Sequence, residues 1–178
     1  MAITYKPPAL PADFGQSRRF SVFLAGSIEM GAAPNWQAEL ESNLADLDID
    51  IFNPRRDDWD SSWVQSADNP QFREQVEWEL DSLAVASLIA MYLAPGTMSP
   101  ISLLELGLHA ASNLFLTHKG ELGPSKLIVC CPEGFQRKGN VDIVCERYGV
   151  YQVDNLAALE KVVRARYDGW GALPRGLS

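Results

Sequence analysis

Apolar and polar positions follow two periods along this chain, and the two periods take turns. Residues 20–27 (FSVFLAGS) form an apolar run rich in Phe and Val that stops at Gly-Ser; this predicts a strand closing on a turn. Behind Pro34-Asn35, a helix start signal, Trp36, Leu40, Leu44 and Leu47 mark an amphipathic helix. Residues 50–52 read as a short strand stopped by Asn53-Pro54. Phe72, Val76, Leu80 and Leu83 then define a second helix. The continuous apolar stretch 85–93 predicts a third strand, covered on both faces. After the Pro95-Gly96 turn, Ser99 stands at an N-cap position with Pro100 as first helical residue. The helix so opened runs to Leu116, with Leu104, Leu108, Ala111 and Phe115 as its expected core stripe. Strands at 126–131 and 150–153 and helices at 141–147 and 156–166 complete the pattern.

Five strands alternating with helices predict an α/β fold. The sheet is parallel, helices lie on both faces, and the crossovers are right-handed. Strand order 2-1-3-4-5 is the common solution, and its ligand crevice lies at the carboxyl ends of strands 1 and 3. The chain divides into a Pro-rich extended arm at 1–18, a single domain at 19–167 and a tail at 168–178. The topology brings Gly26-Ser27, the loop after Asn53, residues 96–99 and Glu105 to one edge of the sheet. The loop at 55–70, polar and aromatic, exceeds a usual connection and reads as a binding loop.

Composition narrows the partners. With 15 basic against 23 acidic groups, the net charge of −8 argues against polymeric nucleic acid, whose phosphates need a basic surface. The longest nearly apolar run, 83–94, is too short to span a bilayer, and a membrane partner is not expected. Cys130, Cys131 and Cys145 show no metal-ligand spacing. The adjacent pair inside LIVCC would point to opposite sheet faces, as core residues do. An odd cysteine count without an apolar leader fits a reducing, cytoplasmic compartment. No metal and no cofactor are expected.

Glu105 is the only formally charged side chain between Ile101 and Leu116. A carboxylate in apolar company is costly unless hydrogen-bonded or used, which makes it a candidate functional group. A lone Glu on the solvated edge of a core helix is the plainer alternative. The series LAGSI, NPRRDDW, WELDSL and PGTMSPISLLELG, in this order and spacing, resembles the nucleoside 2-deoxyribosyltransferase family, in particular its branch with the SPISLLELG signature. The likeness covers about 21–140. It implies a flavodoxin-like fold, N-glycosidic chemistry on 2′-deoxyribonucleosides, and a site completed by a neighbouring subunit in a homo-oligomer.

The resemblance places the family's nucleophile at Glu105, forming a covalent deoxyribosyl intermediate with retention at C1′. It places a second acid, which exchanges a proton with the base, at Glu79, where many members carry Asp. Ser99 falls where better-known members carry a sugar-binding Asp. Asn140 lies near an Asn that reaches the adjacent subunit's sugar. Asp57, Asp58 and Trp59 occupy the base-contacting loop, and Gly26 and Ser27 suit close approach of backbone to ligand. Each also has a structural reading: a solvated acidic face for Glu79, a helix cap for Ser99, turn capping and loop packing at 57–59, a plain strand-to-helix turn at 26–27. Exchange of bases between deoxynucleosides and free bases is the expected reaction. Hydrolysis of deoxynucleosides or their 5′-monophosphates, and a non-catalytic nucleoside-binding module, are the alternatives.

Overall fold

Strict alternation along the strands produces two separate apolar layers, one on each face of a single sheet. The computed structural model describes residues 1–29, 33–56, 62–112 and 125–172. In chain order the elements are β1 (Ile3–Tyr5), β2 (Phe20–Gly26), α1 (Trp36–Asn43), β3 (Ile49–Phe52), α2 (Pro70–Val85), β4 (Leu88–Tyr92), α3 (Pro100–Ser112), β5 (Leu127–Cys130), α4 (Lys138–Tyr148), β6 (Tyr151–Val153) and α5 (Leu156–Ala172). The sheet order is β1-β3-β2-β4-β5-β6, and every pairing is parallel. Without β1 this is the expected 2-1-3-4-5 order, and the flavodoxin-like α/β class holds.

The sixth strand comes from the stretch expected to be an extended arm. Ile3, Thr4 and Tyr5 pair with Asp50, Ile51 and Phe52 along the edge. Phe14 packs edge-on against Phe52, and the Trp78 indole N–H donates to the Ala9 carbonyl at 2.9 Å. Three residues ahead of a Pro-rich turn carry too little pattern to be read as a strand; partners 47 residues away make them one. At the other end α5 runs on to Ala172, past the expected stop at 166, and Trp170 meets Phe20 with centroids 5.5 Å apart.

On one face Val22, Leu24, Ile49, Ile51, Ala90, Ile128 and Cys130 pack under α1 and α5 through Trp36, Leu40, Leu44, Leu159 and Val163. On the other, Phe23, Phe52, Ile89, Met91, Val129 and Cys131 pack under α2, α3 and α4 through Trp78, Leu83, Leu106, Ala110, Val141 and Cys145. Cys130 and Cys131 thus face opposite layers, and all three cysteines are buried free thiols. Caps fall where the chain signals them: Asn35 and Asn69 accept N–H bonds from the first turns of α1 and α2, and Gly149 takes the left-handed conformation (φ 64°) that ends α4.

The expected stripes of α2 and α3 are corrected. Leu80, Leu104 and Leu108 are 48%, 61% and 53% exposed, whereas Gln75, Ser82, Ser102 and Glu105 are buried beside Trp78, Leu83, Leu106 and Ala110. Both helices are apolar on two sides, so the leucine spacing alone does not say which side meets the sheet. Phe115 lies outside the described residues. No helix among the described residues is long and apolar enough to cross a membrane.

Candidate active site at the carboxyl edge of the sheet

The loops after β2, β3 and β4 leave the same edge of the sheet, where the strand order reverses, and the site residues gather there. Gly26 ends β2 at φ 134°, and a Cβ there would collide with the Tyr92 carbonyl of β4. The close approach that requires glycine is therefore to a neighbouring strand, which supports the plain-turn reading of this residue. Ser27 is fully buried. Its N–H donates to the Tyr92 carbonyl at 2.9 Å and its hydroxyl accepts from the Ala94 N–H at 2.9 Å. The same hydroxyl lies 2.8 Å from Thr97 Oγ1 and 2.6 Å from Ser99 Oγ. Thr97 gives its one proton to the Ala94 carbonyl, so it is the acceptor in any hydrogen bond it makes with Ser27 or Ser99. These hydroxyls pin the β4–α3 loop to the end of β2.

Ser99 precedes α3 and its carbonyl accepts the Leu103 N–H at 3.0 Å, as an N-cap residue's does. Its φ of 43°, however, turns the side chain inward to Ser27 and Thr97, away from the helix N–H groups. The N–H groups of Met98 and Ser99 are taken instead by the Glu29 carboxylate, at 3.0 and 2.8 Å. Glu29 itself sits at φ 47°. A carboxylate bridging from the β2 loop to a helix start was not foreseen, because the contact spans 70 residues.

One and a half turns into α3, Glu105 is buried at 8% exposure. Among the described residues nothing donates a hydrogen bond to it. Burial pushes its carboxyl up to about 8, and the charge of Glu79 adds to that rise. Glu79, in the middle of α2, is raised to about 7 by burial, against a hydrogen bond from Gln75 that favours its anion. Glu79 on α2 thus lies close enough for its charge to raise the Glu105 carboxyl on α3. Gln75 links this pair to the sheet: its Nε2 donates to Glu79 Oε1 at 2.6 Å and to the Pro54 carbonyl, just past β3, at 3.0 Å. Gln75 was missed by the sequence reading, although its place one helical turn before Glu79 is the signal that finds it.

Asn140 stands apart from the pair. It is exposed in the first turn of α4 and lines a groove of about 600 Å³ with Leu103, Leu106, Gly107, Arg137 and Val144; Glu105 does not line it. Asp57, Asp58 and Trp59 lie outside the described residues. Arg73 pairs with Glu77 on the surface at 2.7 Å, and Arg55 donates to the carbonyls of Ala33 and Pro34. Among the described residues no three or more His, Cys, Asp or Glu side chains converge as a metal site would require.

A family profile described as nucleoside 2-deoxyribosyltransferase like matches residues 19–120, more than half of the chain. Among solved structures, one described as a conserved protein from Enterococcus faecalis V583 shares the fold. Its TM-score is 0.56 and its sequence 14% identical, over 83% of this chain and 99% of that one. At that identity the likeness speaks for the fold alone. No curated protein sequence matches the chain.

Proposed function

The chain belongs to the nucleoside 2-deoxyribosyltransferase-like family, and from that premise we propose that it exchanges the base of 2′-deoxyribonucleosides through a covalent intermediate on Glu105. The observation that carries the reading is the pair of acids near the switch point of the sheet, Glu105 buried and Glu79 half-buried. Glu105 is unsatisfied by any described donor, and Glu79 is coupled to it. Structural carboxylates acquire partners; one left bare beside a second acid suits a site that waits for a reacting cation.

The chemistry follows from sharing one proton between two acids. Of the two singly protonated forms the less populated one reacts: with the proton on Glu79, which binds it more weakly than Glu105 does, a Glu105 oxygen attacks C1′ and the bond from C1′ to the base nitrogen breaks. The bond's electron pair stays on the base, which takes the proton from Glu79. The anion under the ring offsets the oxocarbenium charge of the transition state. The product is a deoxyribosyl ester of Glu105. An incoming base nitrogen then attacks C1′, expels the Glu105 carboxylate and returns its proton to Glu79. Two inversions give net retention. No cofactor enters the scheme.

Ser99, Ser27 and the loop residues Asp57, Asp58 and Trp59 complete the pocket in this reading, with Ser27 acting through the hydroxyl cluster and Trp59 stacking on the base. The Glu29 carboxylate already holds the N–H groups of Met98 and Ser99, the donors a 5′-phosphate would seek at this helix start. That arrangement favours the nucleoside over the 5′-monophosphate. Asn140 serves a neighbouring copy in this account. Exposed Ile101 and Leu104 on α3 and Ile143 on α4, at 60%, 61% and 66%, give the α3–α4 side an apolar surface suited to self-association.

The test incubates the protein with a deoxynucleoside, with and without a second free base. New deoxynucleoside formed only when the second base is present is the expected result. Free deoxyribose released at the same rate in both mixtures would mean hydrolysis, and no turnover of any deoxynucleoside would leave a binding module.

A further inference from the structure

The Gln75 amide is only half used. Its two N–H groups go to the Pro54 carbonyl and to Glu79, and the residue is 4% exposed. A flipped amide would set oxygen against the Pro54 carbonyl oxygen, so the orientation is fixed by chemistry. The carbonyl Oε1 is left buried with no hydrogen-bond partner among the described residues. Buried acceptors are rarely abandoned, and one beside a candidate catalytic acid points to a missing donor. Oε1 shares a carbon with Nε2, which touches Glu79, and therefore lies within a few ångströms of that carboxyl.

We infer that Gln75 reads the base: its Oε1 accepts an N–H of an exocyclic amine while Glu79 meets the adjacent ring nitrogen. This rests on the base-exchange reading and names the class of base. A 6-aminopurine offers this pair on one edge, N6–H as donor beside N7 as the atom that takes a proton. A 6-oxopurine offers O6 instead, an acceptor facing an acceptor, and leaves Oε1 orphaned. The amide also holds the Glu79 carboxyl in place, so one side chain orients the acid and selects the base it protonates.

The experiment compares kcat/KM for 2′-deoxyadenosine and 2′-deoxyinosine with one common acceptor base, in the unaltered protein and in Gln75→Met. The unaltered protein should favour deoxyadenosine on the order of tenfold or more. Gln75→Met keeps the length and removes the acceptor. It should bring the ratio to within about threefold, chiefly by losing deoxyadenosine. A purely structural role would lower both substrates and leave the ratio alone, which would overturn the inference. If Gln75→Met does not fold, the unaltered protein is given N6,N6-dimethyl-2′-deoxyadenosine, which has no N–H at N6. A fall on the order of tenfold against deoxyadenosine is expected; equal rates overturn the inference. Equal rates for deoxyadenosine and deoxyinosine in the unaltered protein also overturn it, with base exchange left standing. No exchange of any base would remove both readings.

Discussion

Under α1 and α5, the sheet is covered by Trp36, Leu40, Leu44, Leu159 and Val163, each 2% exposed or less. Under α2 and α3, Gln75, Ser82, Ser102 and Glu105 are buried while Leu80, Ile101, Leu104 and Leu108 stand outside. The first face follows the hydrophobic pattern and the second turns part of it inside out. Leucines outside and glutamate inside cost stability on both counts. Such an inversion in two neighbouring helices surrounds the two acids on which the proposed chemistry rests. In the proposed reading the first face holds the protein together and the second holds the reacting carboxyls.

The largest separation between the faces should come from Glu105→Gln. The amide cannot attack C1′ or stabilise its cation, and exchange should fall by at least about a thousandfold. Folding should survive, and its pH dependence should change. Both carboxyls bind protons more tightly in the folded chain than in the unfolded one. Their contribution is therefore fully present below the ordinary glutamate range and is lost as pH rises through about 7 to about 8. The unaltered protein should melt lower at pH 9 than at pH 5.5. Glu105→Gln should remove most of that slope and gain on the order of 3 kcal/mol at pH 9. Melting curves at the two pH values check both statements. An unchanged slope would separate Glu105 from the account.

On the other face, Leu40→Ala removes a fully buried side chain and should cost about 3 kcal/mol by cavity formation. Turnover by the folded fraction should stay within about twofold, since no charge of the carboxyl pair has moved. Denaturant unfolding with activity at low denaturant measures the two effects together. A specific loss of turnover would break the division between the faces.

The legibility of the chain follows the same division. The strand order of the central five strands, their parallel pairing, the Asn35 start of α1 and the opposite facing of Cys130 and Cys131 could all be read, because alternation and capping are local signals. β1 could not, because three residues become a strand only by pairing with β3. The core stripe of α3 was read from Leu104 and Leu108 because leucine spacing says inside. The structure turns Glu105 inward instead, and the same inversion hides Gln75 in α2. Glu105 and Glu79 were nonetheless singled out as candidates, through charge scarcity and motif order. Glu29 was not, since its carboxylate meets Met98 and Ser99 only once β2 and β4 lie side by side.

A smaller effect sharpens the role of Glu79. Glu79→Gln keeps the size but gives no proton to the leaving base, and exchange should slow on the order of a hundredfold. It also removes the negative neighbour that raises the Glu105 carboxyl. The acid limb of the pH–rate profile should therefore move to lower pH. An unmoved limb would mean that the two carboxyls do not share a proton. Smallest for folding and informative about assembly is Ile143→Glu, on the exposed side of α4. Its melting temperature should change by no more than about 2 °C. Light scattering should show a smaller assembly than the unaltered protein forms, with exchange reduced where Asn140 serves a neighbour. A monomeric, fully active unaltered protein would remove that neighbour from the account.

The central claim is a bond to Glu105, and peptide mass spectrometry tests it most directly. The protein is mixed with a 2′-deoxynucleoside in the absence of acceptor base, quenched in acid and digested. The account predicts a mass increase of one deoxyribosyl unit on the peptide containing Glu105, absent in Glu105→Gln and discharged by added base. Efficient base exchange with the adduct on another residue, or exchange retained by folded Glu105→Gln, would contradict it.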